Sequence, residues 1–366
     1  MLTHGDDYPI HQRPEPIATA GTDRNFYDRY FFNGYSPDGS LFFAAALGVY
    51  PHLNIIDAAF CLWDGKTQRS VFGSRILNHE RMDTHAGPIT VKVEHPLQRL
   101  RVTVAAHDDG ASADLIFTGR APPIEEPRFT RVSGSRTLMD VTRLTQNGEW
   151  TGTIVDGGKR IDVDGWRGTR DRSWGVRPIG APDAQPVVPA VAPQFYWLWA
   201  PLNFDDYLLF FHINDDAHGR AWNSSARLVP LRGGAVIELE APAAALDFKP
   251  GTRHAHHAVL TGQHPDGGEV RVELEVGGTF FMPGIGYGHP VRGHGMYQGP
   301  DVTSHESLDL AAAAEGTLPL NHIQALVLAR MTLPGGAVHD GRGVLEQLIV
   351  GPHAPSDFTG LFDLAR

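Results

Sequence analysis

The hydrophobic residues of the chain occur in short runs with a period of two, and glycine or proline separates most of these runs. Arg99–His107 and Glu269–Gly277 place an apolar residue at every second position. This alternation is typical of a β-strand with one buried and one polar face. Helical periodicity is nearly absent, and only Leu308–Glu315 and Asp357–Ala365 are compatible with a few helical turns. The pattern predicts an all-β protein.

Predicted strands occupy the whole length of the chain. In the first half they are Asn25–Gly34, Leu41–Tyr50, Ile55–Trp63, Ile89–His95, Arg99–His107, Ala113–Gly119, Arg136–Arg143 and Trp150–Val155. In the second half they are Phe195–Leu202, Asp206–Ile213, Ser225–Leu231, Ala235–Leu239, His256–Gly262, Glu269–Gly277, His322–Leu333 and Val344–Val350. Because no helices intervene, antiparallel sheets that close or pack on one another are favoured over Rossmann and TIM-barrel architectures.

The chain is expected to form two domains of the same kind. Its 366 residues are enough for one large or two medium domains. The Gly157–Asp164 segment suggests a division into residues 1–160 and 161–366, each a β-barrel. The inference of two barrels rests on the number of strands, since no sequence repeat is visible. Residues 178–193 carry five prolines and no apolar period, so we expect a long ordered loop or lid there.

Charge and cysteine content narrow the classes of function. The chain has 31 Lys and Arg against 42 Asp and Glu, a net charge of −11, which disfavours binding to nucleic acid or to anionic lipid. Cys61 is the only cysteine, so neither an intrachain disulfide nor a cysteine-based metal site can form. No signal-peptide pattern and no run of about 18 apolar residues occurs. These features predict a cytoplasmic protein without stable membrane insertion, and they allow a homodimer.

The densest cluster of chemically active side chains is Trp166–Arg177, which contains four arginines, one aspartate and two tryptophans. In an extended segment, Arg170, Arg172 and Trp174 share one face. Asp171 lies on the other face, and its flanking arginines would either hold its carboxylate ionised or, if they turn away, leave it as an oriented acid. Two interpretations stay open. The segment is either a structural ion-pair clamp at a domain junction, with Trp174 closing a barrel end, or a catalytic or ligand-contacting site.

Aromatic side chains concentrate in two parts of the chain. In the second half they include Tyr196, Trp197, Trp199 and Tyr207, and in the first half Tyr27 begins a cluster that Asp28 interrupts. Aromatic faces suit an apolar cavity and can stabilise a developing carbocation. An ordinary hydrophobic core is the simpler explanation, and a ligand-lining role is the alternative.

Histidine is enriched, with 19 residues in the chain. The histidines that could converge fall into two groups, His254, His256 and His257, and His289, His294 and His305 beside Glu306. Zinc or iron needs about three convergent ligands, but neither a His-Glu-x-x-His pattern nor a facial-triad spacing occurs. Gly284–Gly288 lacks the phosphate-binding spacing, and no Walker lysine or Gly-x-Ser-x-Gly motif is present. We therefore predict neither a metal nor a cofactor.

Four segments resemble the hydroxyneurosporene synthase (carotenoid hydratase) and AttH-like superfamily. The most specific is Gly168–Arg177, which is similar to the Arg-Asp-Arg-Ser-Trp-Gly-x-Arg signature of that superfamily; the others are Asn25–Asp28, Leu47–Pro51 and Gly341–Gln347. The resemblance covers most of the chain. It implies two lipocalin-like antiparallel β-barrel domains packed together, a deep apolar cavity, and cofactor-free acid–base chemistry on isoprenoid or other lipophilic substrates.

In this superfamily, water addition to an alkene, or cyclisation, begins with protonation by a carboxylic acid. The resemblance therefore implies a hydro-lyase, an isomerase or a cyclase whose partner is a hydrophobic small molecule such as a terpenoid. The predicted catalytic residues are Asp171 as the acid, with Arg170 and Arg172 orienting it, and Asp28; Asp57 and Glu346 are rival acids within or beside apolar runs. The predicted ligand-binding residues are Tyr27, Trp174, Tyr196, Trp197, Trp199 and Tyr207.

Other functions stay open. Two adjacent arginines lower the pKa of a carboxyl group and oppose the use of Asp171 as an acid. The main alternative is a non-catalytic carrier of a lipid or terpenoid, in which the arginine-rich segment is structural. A histidine-ligated metalloenzyme on a double β-scaffold is a third hypothesis.

Overall fold

The protein is described by a computed structural model that covers every residue except 20, 22, 108, 109, 186, 189 and 191, together with the side chain of residue 318. In this part of the chain the regular structure consists of β-strands and a few short 3-10 helices, without an α-helix. The predicted all-β class is therefore confirmed. No helix among the described residues has the length and apolarity needed to cross a bilayer.

The strands follow one another along the chain. Those of the first half are β1 (Phe26–Tyr35), β2 (Phe42–Tyr50), β3 (Ile55–Trp63), β4 (Thr67–Ile76), β5 (His85–Ala86), β6 (Ile89–His95), β7 (Arg99–Val104), β8 (Ser112–Gly119), β9 (Ile124–Glu125), β10 (Phe129–Ser133), β11 (Arg136–Asp156) and β12 (Lys159–Val176). Those of the second half are β13 (Phe195–Phe204), β14 (Tyr207–Asp215), β15 (Ala221–Pro230), β16 (Ile237–Phe248), β17 (Ala255–Gln263), β18 (Glu269–Phe281), β19 (Asp301–Asp309), β20 (Ile323–Thr332) and β21 (Val338–Val350). The 3-10 helices are His4–Asp7, Pro51–Leu53, Met282–Ile285, Leu318–Leu320 and Ala354–Ser356.

The first sheet of the described structure has 13 strands, in the order β19-β4-β3-β2-β1-β12-β11-β8-β7-β6-β5, with β9 and β10 also paired to β11. Its two edge strands are β19 and β5. Gly73 allows the edge strand β5 to lie close to β4, because a Cβ atom at position 73 would be 2.1 Å from the carbonyl oxygen of Ala86 in β5. The sheet therefore curls until it is nearly closed.

The second sheet is a closed antiparallel barrel of β13-β14-β15-β16-β17-β18-β20-β21, in which β21 pairs back with β13. Closure leaves no edge strand exposed to pairing with another chain. One closed barrel and one nearly closed barrel-like sheet confirm the predicted antiparallel two-barrel fold class.

Each sheet has its own hydrophobic core. Phe60 and Trp150 are buried in the core of the first sheet, and Leu198 and Leu345 in that of the barrel. In β1 to β4 the face opposite the core is also buried, and it carries several polar residues. That second face holds the candidate site.

The chain divides into two compact units, each discontinuous in sequence. The first comprises Met1–Trp166, Arg170–Ala190 and Gly284–Asp309, and the second comprises Arg167–Thr169, Val191–Pro283 and Leu310–Arg366. The sequence suggested one division after residue 160. In the structure Gly157 and Gly158, with φ of 54° and 79°, form the tight turn between β11 and β12.

Neither of the two segments that were compatible with helical turns is helical, and the proline-rich segment has no regular structure in its described residues. Leu308–Glu315 is not helical, because its first two residues end β19 and turns follow. Asp357–Ala365 contains no helix either, and its turns are fixed by hydrogen bonds to the Asp363 carboxylate. The described residues of 178–193 form neither strand nor helix, as a loop requires, while Pro186 and Pro189 lie outside the described residues.

Candidate functional site

Strand register brings polar side chains of the first sheet into one row. Arg29 in β1 is paired with Gly48 in β2, Gly48 with Asp57 in β3, and Asp57 with Ser74 in β4. Directly opposed residues of neighbouring strands point to the same face of a sheet. Phe60 in β3 is an odd number of residues from Asp57, so the row lies on the face opposite the core.

Asp57 is the centre of this row, and donors contact both of its carboxylate oxygens. The Tyr50 hydroxyl donates to Oδ1 over 3.1 Å, and the Arg29 guanidinium donates to the same oxygen over 3.4 Å. The backbone N–H of Gly295 donates to Oδ2 over 2.7 Å. Arg29 also donates to the carbonyl oxygen of Ile285 over 3.2 Å. The segment Gly284–Asp309 therefore completes a site that β1 to β3 begin.

Gly48 makes room for the Tyr50 hydroxyl between Arg29 and Asp57. A Cβ atom at position 48 would lie 2.3 Å from that hydroxyl oxygen. Tyr50 is fully buried, and Arg29 donates to its oxygen over 3.0 Å. A side chain at position 48 would displace the ring and separate the three groups.

Burial controls the protonation of these groups. Only 17% of the Asp57 side chain is exposed. This burial raises the pKa of the Asp57 carboxyl group above its ordinary value, although the Arg29 guanidinium and the Gly295 N–H partly offset the rise. Burial and the Asp57 charge together raise the pKa of Tyr50 well above its ordinary value. Tyr50 therefore remains a donor, and Asp57 holds its proton to a higher pH than an exposed aspartate.

Arg177, at the end of the arginine-rich segment, forms a second layer beside this row. Its guanidinium lies 4.3 Å from the ring centre of Tyr27 and 5.6 Å from that of Tyr287. It donates to Nδ1 of His294 over 3.1 Å. Although burial opposes its charge, the neighbouring tyrosines raise the pKa of Arg177 above its usual value. The site thus contains a permanent cation with aromatic faces around it.

A small pocket, partly open to solvent, borders this site. Arg29, Asp57, Ser74 and His294 line it together with apolar residues such as Phe72. Within the described structure, the Nε atom of Arg29 and the Oγ atom of Ser74 are buried and have no hydrogen-bond partner. Buried polar atoms without partners are uncommon in native structures, and they indicate a place where water or a ligand binds.

The predicted catalytic residues are distributed over both faces of β12. Arg172 pairs with Asp28 of β1 and lies 4.2 Å from the ring centre of Tyr30. Arg170 is buried on the same face and donates to Oε1 of a glutamine of β11, Gln146, over 2.7 Å. Burial lowers the pKa of both arginines to about 10.

Asp171 lies on the opposite face of β12, as the alternation predicted. Its carboxylate is 3.6 Å from Nε of Arg143, and its charge acts on Tyr27, which also has a hydrogen bond with Ser173. Trp174 is 37% exposed and lies 5.9 Å from the Arg172 guanidinium. The structure therefore brings Asp171 near Tyr27 and separates it from Asp28.

The predicted aromatic residues of the second half are divided between the two faces of the barrel wall. Tyr196 belongs to the barrel core, and Tyr207 packs against that core. Trp197 and Trp199 alternate with the core residue Leu198 and therefore lie on the outer face, where both are buried. These four side chains do not line one common surface.

Glu346 is a second buried carboxylate, on the outer face of the barrel. Trp197 Nε1 donates to it over 3.0 Å, His322 Nε2 over 2.8 Å and Gln324 Nε2 over 2.6 Å. Although burial alone would raise it, these hydrogen bonds lower the pKa of Glu346 below its ordinary value. Glu346 thus remains ionised, in contrast to Asp57.

Among the described residues, no group of three or more His, Cys, Asp and Glu side chains is placed to hold a metal ion. His289 donates to Glu306 over 2.9 Å, and Arg292 contacts the same carboxylate. The ring of His305 stacks on that of His107 at 4.7 Å. These histidines are engaged with one another or with carboxylates in pairs.

Sequence reasoning named Asp57 only as a rival acid and did not identify its partners. Tyr50 lies seven residues before it on the neighbouring strand, whereas Arg29 and His294 are farther along the chain. Only register and the return of the Gly284–Asp309 segment bring these groups together. The available signal was a charged residue in an apolar run, which occurs at Asp57 and at Arg29. Each has a buried opposite charge as its partner.

Solved structures of other proteins are similar in fold to this chain. An AttH-like protein from Nitrosomonas europaea is 14% identical, with 93% of this chain and 98% of that chain covered and a TM-score of 0.54. Kievitone hydratase from Nectria haematococca is 11% identical, with 88% of each chain covered and a TM-score of 0.51. CghA with Sch210972 is 12% identical, with 89% of each chain covered and a TM-score of 0.51. Similarity at these identities shows a shared fold.

The sequence also shows the family to which this chain belongs. Residues 2–359 match the model of DUF8625, a family of unknown function, and the chain belongs to this family. Among curated proteins, none matches the sequence at a significant level.

Proposed function

We propose that this protein is an acid–base enzyme of the hydratase or cyclase type that acts on a hydrophobic small molecule, with Asp57 as its proton donor. The observation that carries the proposal is a largely buried carboxyl group with a raised pKa at the wall of a pocket. General acids are often carboxyl groups whose pKa burial has brought towards neutrality. The structural similarity to a protein named kievitone hydratase supports a hydratase.

The reaction begins with transfer of the Asp57 proton to an alkene carbon of the substrate. The carboxylate that remains is stabilised by Tyr50, Arg29 and the Gly295 N–H, which already point at its oxygens. Donors that are in place before the charge develops stabilise the transition state more than the ground state. The new carbocation then adds water, which returns a proton to Asp57, or it cyclises and returns a proton from a neighbouring carbon to the Asp57 carboxylate.

The surroundings of Asp57 support an apolar substrate with one polar group. Phe72, Ile285 and Met296 contribute apolar surface to the pocket, and the ring of Tyr287 lies 5.3 Å from the Arg29 guanidinium. The Arg29 Nε and Ser74 Oγ atoms would bind a hydroxyl or carbonyl oxygen of the substrate. The proposed steps use only side chains and water.

Asp57 is better placed to donate a proton than Asp28 and Asp171, the two acids that the sequence favoured. Asp28 pairs with Arg172 and lies 3.9 Å from Arg81, and Asp171 faces Arg143. A neighbouring guanidinium favours the ionised form of a carboxyl group. In the proposed enzyme these carboxylates position the arginine-rich strand, and Arg177, which follows that strand, orders Tyr27 and His294.

The test combines ligand identification with isotope transfer. The protein is purified from its own host, bound compounds are extracted into organic solvent, and each compound is returned to the protein in D₂O and in H₂¹⁸O. A panel of lipophilic alkenes and alkenols is assayed in parallel. Deuterium on a substrate carbon is expected for protonation, and ¹⁸O in the product for hydration. Mass spectrometry measures both.

Asp57→Asn should lower the rate of deuterium incorporation by at least about 100-fold, the usual contribution of a general acid. The matched control Asp114→Asn removes an exposed carboxylate of the same sheet, whose partner is Arg101, and should retain turnover. Unchanged turnover in Asp57→Asn would exclude this residue as the donor. A compound that binds and never acquires deuterium or ¹⁸O would instead establish the carrier function.

A further inference from the structure

Three side chains in the second unit form a connected hydrogen-bonded series at the end of β14. Ser356 Oγ is 2.7 Å from Nδ1 of His353, and Nε2 of His353 is 3.3 Å from Oδ2 of Asp215. Asp215 is the last residue of β14, and the other two belong to the turn after β21. A hydroxyl, an imidazole and a carboxylate thus follow one another in contact.

The hydrogen bonds determine which nitrogen of His353 carries the proton. A carboxylate oxygen only accepts hydrogen bonds, so Nε2 donates to Asp215. Nδ1 of the neutral ring is then a lone-pair acceptor, and the Ser356 hydroxyl donates to it. This is the arrangement that turns a serine into a nucleophile: the base faces the hydroxyl, and the acid fixes the tautomer of the base.

The surroundings hold the imidazole rigidly and leave the hydroxyl near the surface. His353 is 3% exposed, and the Tyr196 ring stacks on it at a centroid distance of 3.9 Å. Its backbone exchanges hydrogen bonds with Phe358, and the Ser356 N–H donates to the His353 carbonyl oxygen over 3.1 Å. Ser356 itself is only half-buried. A buried base beside an accessible hydroxyl is the geometry that covalent catalysis needs.

We propose that Ser356, His353 and Asp215 form a second reactive site, which transfers acyl groups from small activated esters to water. Ser356 Oγ attacks the ester carbonyl carbon, and its proton passes to His353 Nδ1. His353 protonates the leaving alkoxide as the ester C–O bond breaks, which leaves an acyl group on Ser356. His353 then takes a proton from water, the hydroxide displaces Ser356, and the serine regains its proton. One water is consumed for each ester cleaved.

His353 is the catalytic base of this site, and Asp215 is a positioning residue that acts through it. A purely structural clasp between β14 and the turn would have the same contacts but no reactivity. The two alternatives therefore differ in chemistry rather than in stability.

The first experiment uses a fluorophosphonate, which a nucleophilic serine attacks with loss of fluoride. Intact-mass spectrometry should show one adduct on the full-length protein, and peptide mapping should locate it at Ser356. Ser356→Ala should abolish the adduct, and His353→Gln should slow its formation by at least about 100-fold. Ser307→Ala, which removes an exposed serine of β19, is the matched control. No adduct, an adduct elsewhere, or a rate unchanged in His353→Gln would overturn the proposal.

A second variant tests the base without relying on serine chemistry. Cys61 is fully buried, so Ser356→Cys introduces the reactive thiol of the chain. Next to His353 that thiol should ionise at lower pH and react with iodoacetamide at pH 6 about tenfold faster than in the Ser356→Cys, His353→Gln double variant. Adding Asp215→Asn should shift the pH profile of alkylation towards higher pH. Equal rates and superimposable profiles would leave only the structural clasp.

The outcome is independent of the chemistry proposed for Asp57. Ser356→Ala should leave deuterium transfer to a lipophilic alkene unchanged, and Asp57→Asn should leave fluorophosphonate labelling unchanged. Failure of either proposal is therefore seen separately from failure of the other.

Discussion

Two buried carboxylates of this protein have opposite electrostatic environments. Burial raises the pKa of Asp57 despite the nearby Arg29, whereas hydrogen bonds lower the pKa of Glu346 despite its burial. The difference follows from the side-chain donors, which lie 2.6, 2.8 and 3.0 Å from Glu346. The side-chain donors of Asp57, Tyr50 and Arg29, lie 3.1 and 3.4 Å away, and only the Gly295 N–H approaches it more closely, at 2.7 Å. The same residue chemistry therefore gives one group suited to donate a proton and one suited to remain charged.

These shifts predict opposite pH dependences of stability. The native pKa of Asp57 exceeds the unfolded value of 3.8, so the contribution of Asp57 to stability is fully present below about pH 4 and falls as the pH rises, and Asp57→Asn should gain relative to wild type over that rise. The native pKa of Glu346 is below 4.5, so its contribution is present above that pH and is lost as the pH falls. Glu346→Gln should therefore approach wild type in acid. Melting temperatures of each variant and of wild type between pH 3 and 7 measure both pH dependences, and differences from wild type that change with pH in the same direction would contradict the assignment.

The contact between Gly48 and Tyr50 allows a sharper test of the site. Gly48→Ala places a Cβ atom 2.3 Å from the Tyr50 hydroxyl, and we expect a loss of about 1–3 kcal/mol from overpacking. Turnover should fall as well, because the hydroxyl leaves Asp57. Gly277→Ala is the control, since its nearest neighbour would be a carbonyl oxygen at 3.4 Å. Chemical denaturation and the isotope assay report the two effects, and a Gly48→Ala protein indistinguishable from Gly277→Ala would refute the packing argument.

At the residue scale, the sequence identified candidate acids but not which of them has the raised pKa that suits a proton donor. Asp171 stood out because arginines and tryptophans surround it in the chain, and local density is visible in a sequence. Asp57 has an apolar neighbourhood in the chain, and its partners come from β1, β2 and the Gly284–Asp309 segment. Desolvation and long-range hydrogen bonds determine a pKa, and neither can be counted from sequence spacing.

At the scale of elements, the hairpin of β11 and β12 organises the first sheet. Its turn is Gly157–Gly158, with both φ angles positive, which is the requirement of a two-residue type I′ turn. A Cβ atom at either position would contact nothing within 4 Å. Only backbone conformation therefore limits substitution there.

This turn predicts a selective response to substitution. Gly157→Asn should be nearly neutral, because asparagine tolerates the left-handed region and favours this turn. Gly157→Val should lose about 1–2 kcal/mol, the usual penalty of a left-handed conformation for a residue with a Cβ atom. Denaturant titration of the two variants gives the comparison. Equal losses for Asn and Val would show that contacts, rather than backbone strain, determine the stability of the turn.

Elements with regular alternation were predictable, whereas several strands, among them β4, β12 and β19, were not predicted, and β11 was predicted as two strands. The alternating run Arg99–His107 predicted β7, which begins at the same residue and ends at Val104. β19 was not predicted because Asp301–Asp309 contains only two aliphatic residues. It forms a strand because it pairs along its whole length with β4. β11 was predicted as two strands because its middle carries polar residues such as Gln146. Gln146 is nevertheless buried, and its side-chain amide is satisfied by a hydrogen bond to the backbone of Ala121.

At the scale of the whole molecule, the compact units are not continuous segments of the chain. Gly284–Asp309 lies between two barrel strands in the chain but belongs to the first unit, where it supplies β19 and the Gly295 N–H of the site. The candidate acid therefore depends on a segment more than two hundred residues away in sequence. A division of the chain at one position would cut the first unit apart.

Hydrogen exchange can test this assignment with a pair of matched core substitutions. Leu62→Ala in β3 and Leu345→Ala in β21 each remove a fully buried leucine, and each should lose about 2–5 kcal/mol. Local stability is shared within a cooperatively folded unit. Asp301–Asp309 should therefore lose amide protection in Leu62→Ala and keep it in Leu345→Ala, although Leu345 is nearer in sequence. The reverse pattern would assign the segment to the barrel, and the Asp57 site would then have no fixed donor at Gly295.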